Sequence, residues 1–176
     1  MPKKNDSVIL LTHGDGGIKT SELISGLIKK HLGNHILDKL EDSAIFSCPP
    51  DKKIAFTTDS FVINPLFFPG GDIGKLCVCG TINDLVTTGC VPASLSLSFI
   101  LEEGFPINDF ERIILSIKET LKSAGGRVEI VTGDTKVVEK GNADKIYINT
   151  AGIGFIEKDI NIGPPGIKKD DAIIIN

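Results

Sequence analysis

The chain has 176 residues, 41% of them hydrophobic and 24% charged, with a mean hydropathy of +0.14 and a net charge of −4. That composition belongs to a globular chain long enough for one full core, and its dispersed glycines and prolines argue against disorder. An acidic pI near 5.4 argues against a nucleic-acid or anionic-membrane surface, no apolar run approaches the roughly 20 residues of a membrane span, and the N-terminus lacks a signal peptide, so a cytoplasmic location is expected.

In chain order, Ser7 to Thr12 reads as a short extended piece that leads into HGDGG, His13 to Gly17. Three glycines in four positions make a loop whose amides can turn toward an anion, with a helix following directly. That helix, Ile18 to Leu32, places Leu23, Ile24, Leu27, Ile28 and Leu32 on one face and stops at Gly33. The loop misses the P-loop pattern, since neither GDGGIKT nor PGGDIGKL has glycine, lysine and Ser/Thr in register. His13 is expected to stabilise the loop. Glu41–Phe46 (EDSAIF) and Lys52–Phe61 (KKIAFTTDSF) read as strands separated by the turn CPPD, with Asp42 and Asp59 near strand ends. Val62 to Pro69 is an extended apolar connection, and its Phe67 and Phe68 suit a core or a patch against a partner subunit.

The rest of the chain is organised around Gly70 to Cys90, GGDIGKLCVCGTINDLVTTGC. Gly74 to Thr88 is apolar or small on almost every side, which predicts a helix buried all round and stopped by Gly89. Thr81, Asp84 and Thr88 share one face, and Gly80 leaves it open to close approach. Val91 to Leu101 alternates Ser94, Ser96 and Ser98 with Leu95, Leu97 and Phe99, a half-buried strand. A helix follows, with Asn108 as its expected N-cap, Glu111 as capping-box partner, and Phe110, Ile113, Ile114, Ile117, Leu121 and Ala124 on one face. Arg127 to Val138 is expected as a strand interrupted at Gly133-Asp134-Thr135-Lys136, and Lys145 to Glu157 as another. Residues 159–176 read as a linker and the first strand of a further domain, leaving 1–158 as the first domain of a longer protein.

Two groups of residues are candidates for chemistry. The cysteines do not form a metal site by spacing: Cys77 and Cys79 are about 200° apart around a helix, and Cys77, Cys79 and Cys90 suit small buried hydrophobes. Asp42, Asp59, Asp84 and Asp134 sit instead beside Thr, Ser, Asn or Gly, with Asp72 a fifth candidate. Hard carboxylate oxygens without His or Cys are what Mg²⁺ prefers, and Mg²⁺ usually bridges to phosphates. Glycine-rich loops with Lys75 or Lys136 would meet those phosphates. Any one such Asp is ordinary turn chemistry, but four of them with TGDTK favour a magnesium–nucleotide site.

HGDGG, EDSA, TTDSF with NPLFFPGGDIGKL, VCGTINDL, FILEEGFP, VTGDTKVV and INTAGIG resemble the HypE family of hydrogenase maturation factors. That family lies in the ATP-binding superfamily of aminoimidazole ribonucleotide synthetase, selenophosphate synthetase and thiamine-monophosphate kinase. The resemblance covers His13 to about Gly154. It implies an α/β domain with a mixed, largely antiparallel sheet and helices on one face, dimerising into a β-barrel with ATP near the subunit interface. By the same resemblance Asp42, Asp59, Asp84 and Asp134 hold the metal, and Asp134 and Lys136 lie nearest the chemistry. Gly14, Gly16, Gly17, Thr58, Ser60, Asp72, Lys75, Asn83, Gly133 and Thr135 then contact the nucleotide. The implied reaction is ATP-dependent dehydration of a C-terminal cysteine S-carboxamide to a thiocyanate, which supplies cyanide for nickel–iron hydrogenase. ATP and Mg²⁺ are the implied cofactors. A second copy, a carbamoyltransferase and an iron–cyanide scaffold are the implied partners, with neither nucleic acid nor membrane among them. The chain has no terminal acceptor cysteine, so dehydration by it alone is not expected. Another kinase or synthetase of the superfamily, or a non-catalytic dimerisation domain, are the competing readings.

Overall fold

The structure, a computed structural model, describes residues 8–41, 43–45 and 47–174. Its strands are β1 (Lys52–Phe61), the short pair β2 (Phe67–Phe68) and β3 (Gly71–Asp72), β4 (Val91–Glu102), β5 (Glu129–Val138) and β6 (Ile146–Glu157). The four long strands form one mixed sheet in the order β1-β6-β4-β5. β6 runs antiparallel to both β1 and β4, while β5 lies parallel to β4. A parallel pair needs a crossover, and the helix α4 (Ile107–Ser123) supplies it.

Alternation along β4 decides which side of the sheet is covered. Leu95, Leu97, Phe99 and Leu101 are buried, while the serines between them point to the other side. Helix α3 (Ile73–Val86) and α4 cover the apolar side, burying Ile73, Cys77, Val78 and Leu85 from one and Phe110, Ile113, Ile114, Ile117 and Leu121 from the other. Each such aliphatic or aromatic side chain stabilises the fold by about 1.5–3 kcal/mol. Phe99 and Phe110 meet edge to face with centroids 5.0 Å apart. Gly74 permits the α3–α4 approach, since a Cβ there would lie 2.6 Å from the Ile113 carbonyl oxygen. A third helical segment, α1 (Ile18–Leu23), passes through a wider π-helical stretch (Ile24–Lys29) into α2 (Lys30–Leu32) and adds Leu23, Leu27 and Leu32 to the same core. His31 Nε2 lies 3.1 Å from Glu111 Oε1 and ties α2 to α4.

Among the described residues, the opposite face of the sheet carries no helix. Phe56 is 68% exposed there and Ile54 58%, beside Val91 and Ile100. Among the described residues, the outer strands β1 and β5 pair along one edge only.

Several elements differ from expectation. Helix α3 is not buried all round, since Lys75, Leu76, Asn83, Asp84 and Val86 are exposed along one side; glycine, cysteine and threonine make a helix look apolar without saying which side is covered. Helix α4 begins at Ile107 behind Pro106 with no side-chain cap, and Glu111 turns to Lys30 and His31 instead of closing a capping box with Asn108. β5 runs unbroken through Gly133-Asp134-Thr135-Lys136. Of the expected strand 7–12, Ser7 lies outside the described residues, and the rest is a single bridge from Val8 to Pro106 followed by a turn of 3₁₀ helix, Leu11–His13. In the expected strand 41–46, the described residues carry no strand, and Asp42 and Phe46 lie outside the described residues. Residues 171–174 are likewise not a strand. Cys77 and Cys90 are buried as free thiols, whose pKa values burial pushes up. Among the described residues, no helix is long and apolar enough to cross a membrane.

Candidate functional site

Two polar places stand out, at opposite edges of the sheet. The first is a cleft of about 580 Å³ beside β5, within the size range of small-molecule sites. Its apolar wall comes from the N-terminal helix and the loop after it, through Ile24, Ile28, Ile36, Leu37 and Leu40. Its polar wall is Thr132 to Lys136 together with Gly14 and Gly16. Asp134 and Lys136, two apart on one side of β5, pair at 2.6 Å. Gly14 packs so tightly on β5 that a Cβ would lie 2.5 Å from the Val137 nitrogen. The glycine loop is therefore docked against the strand that carries Lys136.

The loop is held from within. The Leu10 amide donates to His13 Nδ1 at 2.9 Å, the Gly16 amide to Thr20 Oγ1 at 3.0 Å and the Gly17 amide to Asp15 Oδ1 at 2.8 Å. Gly16 adopts φ +81°, a conformation that side chains rarely take. These amides are engaged inside the loop, so receiving a phosphate would require exchanging internal acceptors for phosphate oxygens. Burial, and then the positive charge of Lys19, hold the His13 pKa below its ordinary 6.5. The imidazole is thus neutral, as a ring nitrogen accepting an amide proton must be.

The second place is a crevice between β1 and α3. Thr57, Asp59 and Phe61 share the helix-facing side of β1. Thr57 Oγ1 donates to Asp84 Oδ2 at 3.0 Å, and Asp59 Oδ2 lies over Gly80, where a Cβ would be 3.3 Å away. Gly80 and Asp84 are one helical turn apart, so both carboxylates open into one crevice. Neither makes an ion pair among the described residues. Two unneutralised carboxylates beside a hydroxyl suit a hard divalent cation that keeps waters and phosphate as its other ligands. Among the described residues no three His, Cys, Asp or Glu side chains gather into a metal cage.

Of the four acidic positions expected as one set, Asp42 lies outside the described residues, and the other three are not gathered within this chain. Asp134 and Lys136 face the side of the sheet away from the helices, opposite Ser98 and Ile100. Asp59 and Asp84 lie on the helical side of the far edge strand, three strand spacings or roughly 14 Å across. Thr58 and Ser60 also point away from Asp59, and Asn149 Nδ2 bonds Ser60 Oγ and the Asp59 carbonyl at 3.0 and 2.8 Å. Asp72 caps α3 by accepting from the Lys75 amide at 2.9 Å, while Lys75 Nζ donates to the Gly70 carbonyl. Asn83 is exposed beside Asp84, and Thr135 is buried toward the core. Gly133 is needed for packing, because a Cβ would fall 2.0 Å from the Leu97 carbonyl oxygen. Thr20 and Thr57 carry no motif signal of their own, although a strand period of two places Thr57 on the face of Asp59.

With this geometry in view, comparison with known proteins is decisive. Residues 40–156 match the model of the AIR synthase related protein family, N-terminal domain. This chain belongs to that family. Within the family its similarity is to HypE, as the motifs indicated. It is 44% identical over 172 residues to carbamoyl dehydratase HypE of Escherichia coli K12, covering 96% of this chain and 51% of that protein. It is 47% identical over 166 residues to HypE of Rhizobium leguminosarum bv. viciae, covering 94% and 47%. A crystal structure of HypE in complex with ATP superposes with TM-score 0.79 at 45% identity, covering 89% of this chain and 44% of that one. A HypE–HypF complex gives TM-score 0.60 at 49% identity, covering 79% and 44%. The chain spans about half the length of the curated relatives it matches.

Proposed function

We propose that this chain is the nucleotide-binding and dimerising half of a HypE-type, ATP-dependent carbamoyl dehydratase acting in the cytoplasm on nickel–iron hydrogenase maturation. The observation that carries the reading is the glycine loop docked on the Asp134–Lys136 segment beside a 580 Å³ cleft with one apolar and one polar wall. A nucleotide has the same two-sided chemistry: an apolar base suits Ile24, Ile28 and Leu37, and phosphates suit Lys136 and the loop amides. The ATP complex of the similar HypE structure supports the assignment. Lys136 would exchange its Asp134 carboxylate for phosphate oxygens on binding.

Magnesium, when bound, would supply positive charge that neutralises the phosphates. Asp59 and Asp84 are the carboxylates fitted to hold it, with Asp134 and Asp42 as further members. Within one chain the Asp59–Asp84 crevice and Asp134 stand at opposite edges of the sheet, and a second copy would resolve the separation. Pairing of each β5 edge with the partner subunit's β1 edge would close two four-stranded sheets into a barrel, set the exposed apolar face inside, and place a partner's carboxylate crevice beside the cleft. In the parent protein, the S-carboxamide oxygen of a C-terminal cysteine would attack the γ-phosphate of ATP, releasing ADP. Loss of both amide protons would then expel that oxygen as phosphate and leave S–C≡N, with Lys136 and Asp134 nearest the transferring group. The carbamoyl donor would be a HypF-type partner, in keeping with the HypE–HypF complex, and an iron–cyanide scaffold would accept the product. Residues 159–176 are assigned as linker and entry into a second domain.

Calorimetric titration with ATP tests the cleft. Lys136→Ala is expected to weaken binding about tenfold or more, and Gly14→Ala to weaken it by lifting the loop from Val137. Unchanged affinity in both variants would remove the nucleotide from this cleft.

A further inference from the structure

We infer that Thr57 is the positioning residue for the Asp84 carboxylate, an inference that rests on the reading of Asp59 and Asp84 as magnesium carboxylates. Asp84 is an exposed side chain on a helix surface, where an Asp ordinarily samples several rotamers. Here one oxygen, Oδ2, accepts the Thr57 hydroxyl at 3.0 Å, and no other bond to this side chain exists among the described residues. The hydroxyl comes from the neighbouring strand, two residues before Asp59 on the same side of β1. One short stretch of strand therefore supplies one carboxylate to the crevice and fixes the direction of the other. Gly80 lets the strand come close enough: a Cβ there would lie 2.9 Å from the Phe61 ring and 3.3 Å from Asp59 Oδ2.

The arrangement has a chemical purpose beyond holding α3 to β1. That contact is already made by apolar groups, with Phe61 buried and packed over Gly80. A lone polar clasp at the exposed rim adds little to it. Magnesium demands near-ideal ligand geometry, and a fixed carboxylate loses less freedom on binding it. Outer partners of this kind change metal affinity by about 10–100-fold when removed.

The test is nucleotide binding by this chain as a function of Mg²⁺ concentration, in the wild type, Thr57→Val and Thr57→Ser. Valine keeps the shape and removes the hydroxyl, while serine keeps the hydroxyl. The expected result is that Thr57→Val needs about tenfold more Mg²⁺ for half-maximal ATP binding and regains wild-type affinity at saturating Mg²⁺. Thr57→Ser should behave as wild type. An unchanged Mg²⁺ requirement in Thr57→Val, a loss that Mg²⁺ does not relieve, or failure of serine to rescue would each overturn the inference. A wild-type chain that binds ATP equally with and without Mg²⁺ would overturn the underlying magnesium reading, and this inference with it.

Discussion

His13 shows how one side chain can set the state of the glycine loop. Its Nδ1 accepts the Leu10 amide, and burial disfavours the imidazolium, so the folded loop prefers neutral histidine. A histidine whose folded pKa is depressed contributes stability above its unfolded value of 6.5, and loses it as pH falls through the lowered folded pKa. The stability gap between wild type and His13→Ala is therefore expected to be larger at pH 7.5 than at pH 5.5 in denaturant titrations. An equal gap at both values would contradict the latch. At this scale much was legible. The loop-stabilising role of His13 follows from its place beside three glycines, and Asp59 and Asp84 stand out as carboxylates among small polar neighbours. Asp72 was harder to place, because an Asp before a helix can equally bind a ligand or cap the helix, and its bond to the Lys75 amide shows it capping.

At the scale of the element, Gly133 separates two explanations that a sequence leaves joined. A glycine beside Asp134 and Lys136 invites a phosphate-binding role, yet its missing side chain is required by the Leu97 carbonyl oxygen of β4. Gly133→Ala is expected to destabilise the fold by about 2 kcal/mol or more, seen as a lowered thermal midpoint without nucleotide. A variant as stable as wild type that binds ATP poorly would return Gly133 to a ligand role. The same ambiguity explains the misread elements. Gly133 in TGDTK imitates a strand break, but β5 absorbs it by drawing close to β4 with a shifted register nearby. Asn108 and Glu111 imitate a capping box, but Glu111 has partners in α2 that are 80 residues away in sequence. Periodicity located α4 and β4 because burial repeats along them. It missed what depends on distant partners.

At the scale of the whole molecule, the described residues leave one sheet face and two strand edges unmet. The sequence shows that serines alternate with leucines in β4, but not that Ile54, Phe56 and Val91 gather on the serine side, since strand order is needed to bring them together. If that face closes against a second copy, Phe56→Asp is expected to convert a dimer to monomer in analytical ultracentrifugation. A wild-type chain that sediments as a monomer at high concentration would contradict the barrel. The division of the acidic residues between two edges belongs to this scale as well, because no local pattern reports the distance between Asp59 and Asp134. The central claim, a magnesium–nucleotide site built from this chain, is tested most directly by titrating it with ATP in Mg²⁺ and in EDTA, beside Asp84→Asn. The account predicts saturable binding that requires Mg²⁺ in the wild type and is weakened in the variant. A folded, dimeric chain that binds no ATP in Mg²⁺ would contradict it.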